Sequence, residues 1–202
     1  MKKLLILLLF IPFTTLQAQQ LGVKGGLTYG DLNIEDFETK NRIGYHIGGF
    51  LTLPITDNFS FQPEILYSAR GTKATYDIFE LEGESTLKTN YIDIPLQGVI
   101  HIGDLIQIQA GPYLSFLTNT EFETEGDLGD GVEELDNDNF KNTDFGLTAG
   151  LTVNIGVLQV GGMYYYGLQE IQDSEVSNAL LGNAKHRYIQ LFVGLRIGDN
   201  KD

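Results

Sequence analysis

The sequence predicts an all-β chain, an eight-stranded antiparallel up-and-down transmembrane β-barrel. Three observations lead there. Apolar residues alternate with polar or small ones over eight separate stretches, the period of a strand with two unlike faces. The connections between the stretches alternate strictly between long and short. The apolar faces carry no charge at all.

The alternation is cleanest from Asp144 to Leu168. Phe145, Leu147, Ala149, Leu151, Val153 and Ile155 are apolar, while Asp144, Gly146, Thr148, Gly150, Thr152 and Asn154 between them are polar or small. Gly156 follows and the pattern restarts, with Leu158, Val160, Tyr164, Tyr166 and Leu168 on one face and Gln159, Met163 and Tyr165 on the other. Two strands joined by almost nothing make a hairpin. Each run is near the ~9–11 residues that a tilted strand needs to cross a bilayer.

The remaining chain repeats this unit. A first strand covers Leu21 to Tyr29, and Asp31–Asn41 reads as a loop. A second strand, Arg42 to Leu53, has Ile43, Tyr45, Ile47 and Leu51 on its apolar face, with Phe50 as an exception on the other. After the turn Pro54–Asn58, a third strand covers Phe59 to Ser68, with a bulge expected at Pro63 because proline cannot donate to a ladder. Ala69–Lys88 reads as a long polar loop. A fourth strand, Thr89 to Ile100, and a fifth, Leu105 to Phe116, flank the turn His101–Asp104. Leu117–Asn142 is the longest and most acidic loop, and the hairpin from Asp144 supplies strands six and seven. Gln169–His186 is a further loop before the eighth strand, Arg187 to Ile197.

Strict alternation of loop lengths gathers the long loops at one end and the short turns, with both termini, at the other. Bacterial outer-membrane barrels share this asymmetry, with even strand number, periplasmic turns and extracellular loops. A soluble barrel also alternates, but its outer face is rich in Lys and Glu. Here the polar face is mostly Gly, Thr, Ser, Gln and Asn, with only Lys24, Arg42, Glu64, Asp93, Asp144 and Arg196 charged. Such a face suits a narrow filled lumen, and the apolar face suits outer-membrane lipid. Tyr29, Tyr45, Tyr67, Phe116, Phe145 and Tyr166 lie on apolar faces toward the long loops, as in an interfacial aromatic girdle. Tyr91, Tyr113 and Tyr188 have the opposite parity and are placed to cap the lumen.

Composition narrows the classes further. The chain has 202 residues, 24 Gly and no Cys, so it holds no disulfide framework. Its formal charge of −14 argues against nucleic acid as a partner. Lys2 and Lys3, the apolar run Leu4–Phe13 and Leu16-Gln17-Ala18 read as a signal peptide over residues 1–18, leaving 19–202 as one barrel domain.

No cofactor-binding or catalytic motif stands out. His46, His101 and His186 have no partner at ligand spacing in the sequence, and neither a Gly-x-Ser-x-Gly elbow nor a phosphate-binding loop is present. Inward carboxylates and bases are expected to pair, because an isolated buried ion is costly. Glu64 and Asp93, from neighbouring strands, are expected to share one network with Arg42 and Arg196. That network reads as a structural plug, or in the sharper alternative as a proton or ion path. The acidic loop from Glu121 to Asp138 reads as solvated surface, with calcium or a cationic protein partner as the alternative; it lacks the Asp-x-Asp-x-Asp-Gly register with a distal Glu.

Five segments carry a family resemblance: Val23-Lys24-Gly25-Gly26-Leu27, Gln62 to Ser68, Tyr91 to Leu96, Gly111-Pro112-Tyr113-Leu114 and Tyr164 to Leu168. In this order and spacing the chain resembles the outer-membrane β-barrel family common in Bacteroidota, the porin or PorT family, with an OmpX/OmpA-like barrel. It departs from that pattern at Met163, where arginine is frequent, and at its end, which runs past Ile197 without a terminal aromatic residue. The resemblance implies a structural or interaction role carried by the extracellular loops. It leaves two alternatives, an accessory subunit of an outer-membrane machine such as type IX secretion, and a small-solute channel.

Overall fold

The structure is a computed structural model, and it describes residues 19–33, 40–78, 81–126, 131–134, 142–170 and 185–197. The expected signal peptide, the Arg42 side chain and most of the acidic loop lie outside the described residues. Nine strands are present among the described residues: β1 (Gln20–Asn33), β2 (Lys40–Thr56), β3 (Phe59–Ile78), β4 (Leu81–Ile102), β5 (Ile106–Gly126), β6 (Gly131–Glu134), β7 (Thr143–Ile155), β8 (Leu158–Glu170) and β9 (Lys185–Ile197). Every neighbouring pair is antiparallel. Eight strands close on themselves in the order β4-β3-β2-β1-β9-β8-β7-β5, with β5 returning to β4. The short β6 pairs only with the outer part of β5.

Closure follows from the sequence's parity. A one-residue slip would turn every side chain to the other face, so two unlike faces fix the register. Outward lie Leu27, Ile47, Ile65, Leu114, Leu151, Val160, Leu191 and their neighbours, all exposed. Inward lie Lys24, Thr28, Gln62, Glu64, Asp93, Gln97, Gln107, Thr152 and Gln190, all buried. This inverts the order of a water-soluble protein, with an apolar surface around a polar core. The inner wall also needs glycine where large side chains lie flat across it. A Cβ on Gly22 would collide with the Phe50 ring, and one on Gly161 would stand 2.6 Å from Phe192 Cζ. Tight turns close the short-turn end, where Gly103 and Gly156 adopt φ of 60° and 61°, a conformation that favours glycine.

Three expectations are corrected. Ala69–Lys88 is not a loop: β3 and β4 stay paired from Arg70↔Thr89 to Ile78↔Leu81. Likewise β5 runs to Gly126 and gains β6, inside the stretch read as the longest loop. Beyond the apolar band a ladder has no buried face to fill, so it continues without the alternation that marks it in sequence. Finally, there is no bulge at Pro63, because Pro63↔Leu96 and Leu66↔Asp93 share one register. The ladder skips the pairs between them, around Pro95 of β4. A missing donor removes a hydrogen bond but does not require an extra residue. The bulges lie elsewhere, between Asn41 and Tyr45, Pro54 and Thr56, Asn90 and Tyr91, and Tyr166 and Glu170.

Candidate functional site: the charged lumen

Buried charge in the described residues is confined to the lumen: Lys24, Arg70, Glu64, Asp93 and Asp144. They form two clusters at different heights.

The first joins β1 to β3 across β2. Lys24 stands opposite Gly48, and with no side chain there it reaches over β2 to Glu64, Nζ to Oε2 2.5 Å. Its Nζ also sits 4.5 Å from the centre of the Phe192 ring, a cation–π contact. Glu64 Oε1 accepts from Gln62 Nε2 at 2.8 Å, and Gln62 Oε1 accepts from Thr52 Oγ1 at 2.9 Å.

The second cluster lies nearer the long-connection end. Asp93, Ser115 and Asp144 share one row across β4, β5 and β7. Two carboxylates in a row repel, and Arg70 of β3 lies against both. Its guanidinium pairs with Asp93, and its Nη1 is 3.8 Å from Asp144 Oδ2. Ser68 and Ser115 each donate to Asp93 at 2.6 Å. Tyr113 donates its hydroxyl to Asp144 Oδ2 at 3.0 Å. Tyrosine rings enclose the group: Arg70 lies 4.1 Å from the Tyr188 ring centre and 4.7 Å from that of Tyr91. Tyr188 stacks on Tyr165 at 4.5 Å, and Tyr165 meets Tyr113 edge-on at 5.2 Å.

At the short-turn end the filling is neutral. Gln107 Oε1 accepts from Gln109 Nε2 at 3.3 Å and Gln159 Nε2 at 3.5 Å, and Gln159 also donates to Asn154 Oδ1 at 3.0 Å. Ser60 Oγ lies 2.8 Å from His101 Nε2, and Gln107 Nε2 lies 3.4 Å from His101 Nδ1. This serine–histidine pair is invisible in the sequence. Both ring nitrogens of His101 thus have a side-chain neighbour within hydrogen-bond distance.

Lys24, Glu64, Asp93 and Asp144 therefore all project inward, but not as one network. Glu64 pairs with Lys24, and Asp93 with Arg70. Arg196 does not join them. It is half exposed at the short-turn end and donates to the Gly156 carbonyl. Arg42 is placed only by its backbone, opposite Gly30. Arg70 was missed because it fell in a presumed loop, although it continues the inward parity of Gln62, Glu64, Leu66 and Ser68. Tyr29, Tyr45, Phe116, Phe145 and Tyr166 point outward and are exposed, and Tyr67 lies 6.3 Å from Tyr45, ring to ring. Tyr91, Tyr113 and Tyr188 are buried in the lumen together with Tyr165. Among the described residues no group of His, Cys, Asp or Glu could hold a metal ion.

Three solved structures with a similar outline are distant in sequence. The attachment invasion locus protein Ail of Yersinia pestis is 14% identical, with 88% of this chain and 98% of that one covered, at a TM-score of 0.48. OprG of Pseudomonas aeruginosa is 12% identical, with 91% and 98% covered, at 0.47. Neisserial surface protein A is 10% identical, with 90% and 97% covered, at 0.41. Among curated proteins, no sequence match was found. The family model described as "Outer membrane protein beta-barrel domain" matches residues 17–173, most of the barrel. With a closed eight-stranded wall that is apolar outside and polar within, the chain belongs to this family, and its place is the outer membrane.

Proposed function

We propose that this protein is a sealed outer-membrane barrel with a structural or interaction role, exerted through the ends of its long strands on the outside of the cell. One observation carries the reading. The interior is filled by side chains that are 0–6% exposed, from the Gln107 group at one end to Arg70 and its carboxylates at the other. An eight-stranded barrel is just wide enough for side chains to fill it. What such a molecule offers to others is therefore its rim. On this reading the exposed aromatic residues form a girdle at the outer membrane boundary, residues 1–18 are a signal peptide, and any protein partner meets the acidic long-connection end.

Two measurements test this. Purified barrel in planar lipid bilayers should give no discrete conductance steps, and regular steps in the wild type would replace the sealed barrel with a channel. Affinity purification from native membranes should recover a protein that is lost when residues 127–142 are replaced by a short glycine–serine linker. Recovery unchanged by that replacement would place the interaction elsewhere.

A further inference from the structure

Three of the five prolines stand well inside strands, Pro63 in β3, Pro95 in β4 and Pro112 in β5. The register sets them on one line across the wall, with Pro63 opposite Leu51, Pro95 opposite Glu64 and Pro112 opposite Leu96. Each ladder has a gap there. Between β2 and β3 the pairing passes from Phe50↔Glu64 to Leu53↔Phe61. Between β3 and β4 it passes from Leu66↔Asp93 to Pro63↔Leu96, and between β4 and β5 from Pro95↔Tyr113 to Gly98↔Ala110. A hydrogen-bonded antiparallel pair exchanges two N–H···O bonds, and proline has no N–H to give. The carbonyls of Leu51, Glu64 and Leu96 thus each lose a ladder donor, in three neighbouring ladders at one height. Proline within a sheet is ordinarily confined to edges and bulges, yet these strands have neighbours on both sides and the register shifts lie elsewhere.

The line cuts across the base of the hairpin Leu53–Gln62 at the short-turn end. On the β2 side of that hairpin, pairing with β1 ends at Gln20↔Thr52 among the described residues. On its β3 side it is held to β4 by the pairs from Phe59↔Ile100 to Gln62↔Gln97. The His101 N–H also donates to the Asn58 carbonyl at 2.9 Å, and Ser60 Oγ lies 2.8 Å from His101 Nε2. Its buried side chains Ser60 and Gln62 are neutral. Gln62 donates across the line to Glu64, while Arg70, Asp93 and Asp144 all lie beyond it. The β7–β8 hairpin at the same end is built differently. Its pairing runs unbroken from Gly146↔Gly167 to Ile155↔Leu158, with β5 and β9 paired on its outer sides.

We propose that Leu53–Gln62 is a flap hinged along the proline line, which swings away from β4 at the short-turn end while the wall around Arg70 stays closed. Opening parts Ser60 from His101 and uncovers Gln62 and Gln97, both fully enclosed in the closed barrel. Local opening follows the segments with the fewest bonds to break, and here the hinge is already short of donors. The flap goes beyond the sealed-barrel reading, because it opens a blind recess and not a path through the molecule.

Amide hydrogen exchange of the whole barrel in lipid nanodiscs, read residue by residue by NMR, tests the flap. Ser60 and Gln62 stand as far from their turn as Gln159 and Gly161 stand from theirs. In the wild type, corrected for intrinsic rates, the Ser60 and Gln62 amides should exchange at least about tenfold faster than those of Gln159 and Gly161. Equal protection of the two hairpins overturns the flap. The variant Pro63→Ala, Pro95→Ala returns donors to the Leu51 and Glu64 carbonyls, with heat-modifiable migration as the check on folding. It should slow Ser60 and Gln62 to the rates of the β7–β8 hairpin. Exchange that stays fast in the folded variant means that the open β1 side sets the motion, and overturns the proline hinge. If the double variant does not fold, Pro63→Ala alone, on the outer face, decides by the same readout.

Discussion

Arg70 is the residue on which the lumen's electrostatics turn. Among the described cations it alone lies against both Asp93 and Asp144, and it lies against the Tyr91 and Tyr188 rings. Arg70→Gln leaves two carboxylates in one row without a cation. Removing one partner of a buried ion pair typically costs ~3–5 kcal/mol, less where water enters, and urea unfolding in lipid vesicles should show a loss of that order. Arg196→Gln, at the half-exposed rim, should change stability by about 0.5 kcal/mol or less. Equal effects would mean that Arg70 is not the central cation. The Lys24–Glu64 pair allows a sharper check. Glu64→Gln should destabilise, and adding Lys24→Met should recover part of the loss, because the pair shares one contact 2.5 Å long. Losses that simply add would show the two residues to be uncoupled. Arg196, which the sequence offered as a partner for Glu64, should show no such coupling.

A strand of this barrel answers to two media at once, and its two faces should fail in different ways. Leu151 of β7 points outward and is 58% exposed. Leu151→Arg sets a charge against lipid, at a cost of ~2–4 kcal/mol if it lies near mid-bilayer. Leu151→Phe keeps the face apolar. The arginine variant should lose most of its heat-modifiable folded band on gels while the phenylalanine variant keeps it. Equal assembly of both would mean that this face does not meet lipid. The inner face has the opposite sensitivity. At Gly161 of β8 a Cβ would stand 2.6 Å from Phe192 Cζ and 2.7 Å from the Leu151 carbonyl oxygen. Gly161→Val therefore overpacks the inner wall without introducing charge, and should cost ~1–3 kcal/mol by the same unfolding assay.

The molecule as a whole has two unlike ends. Short turns at Asp57–Asn58 and Gly156–Val157 close one of them. At the other, β3, β4 and β5 run on well past the apolar band. The proposed orientation sets the second end outside the cell. Protease added to intact cells should then cut within residues 171–184 and spare Pro54–Asn58. Cutting at the turn alone would reverse the orientation.

Local chemistry made the wall legible. Which face of a strand a residue occupies depends only on parity, and the face's character is written in neighbouring side chains, so Leu151 and Thr152 could be told apart from sequence. The turn at Gly156 and the number of barrel strands followed for the same reason. The extended parts of β3, β4 and β5 did not, because a ladder with water on both faces keeps its hydrogen bonds without needing an alternating pattern. The lumen's pairing was also out of reach. Lys24 meets Glu64 over Gly48, and Ser60 meets His101, only once the register is set and the sheet has closed. Closure brings β9 against β1 and fixes which inward side chains share a height. Arg70 lies between the two cases: its parity is visible in the sequence, but its role needed the row of Asp93, Ser115 and Asp144 that three strands assemble together.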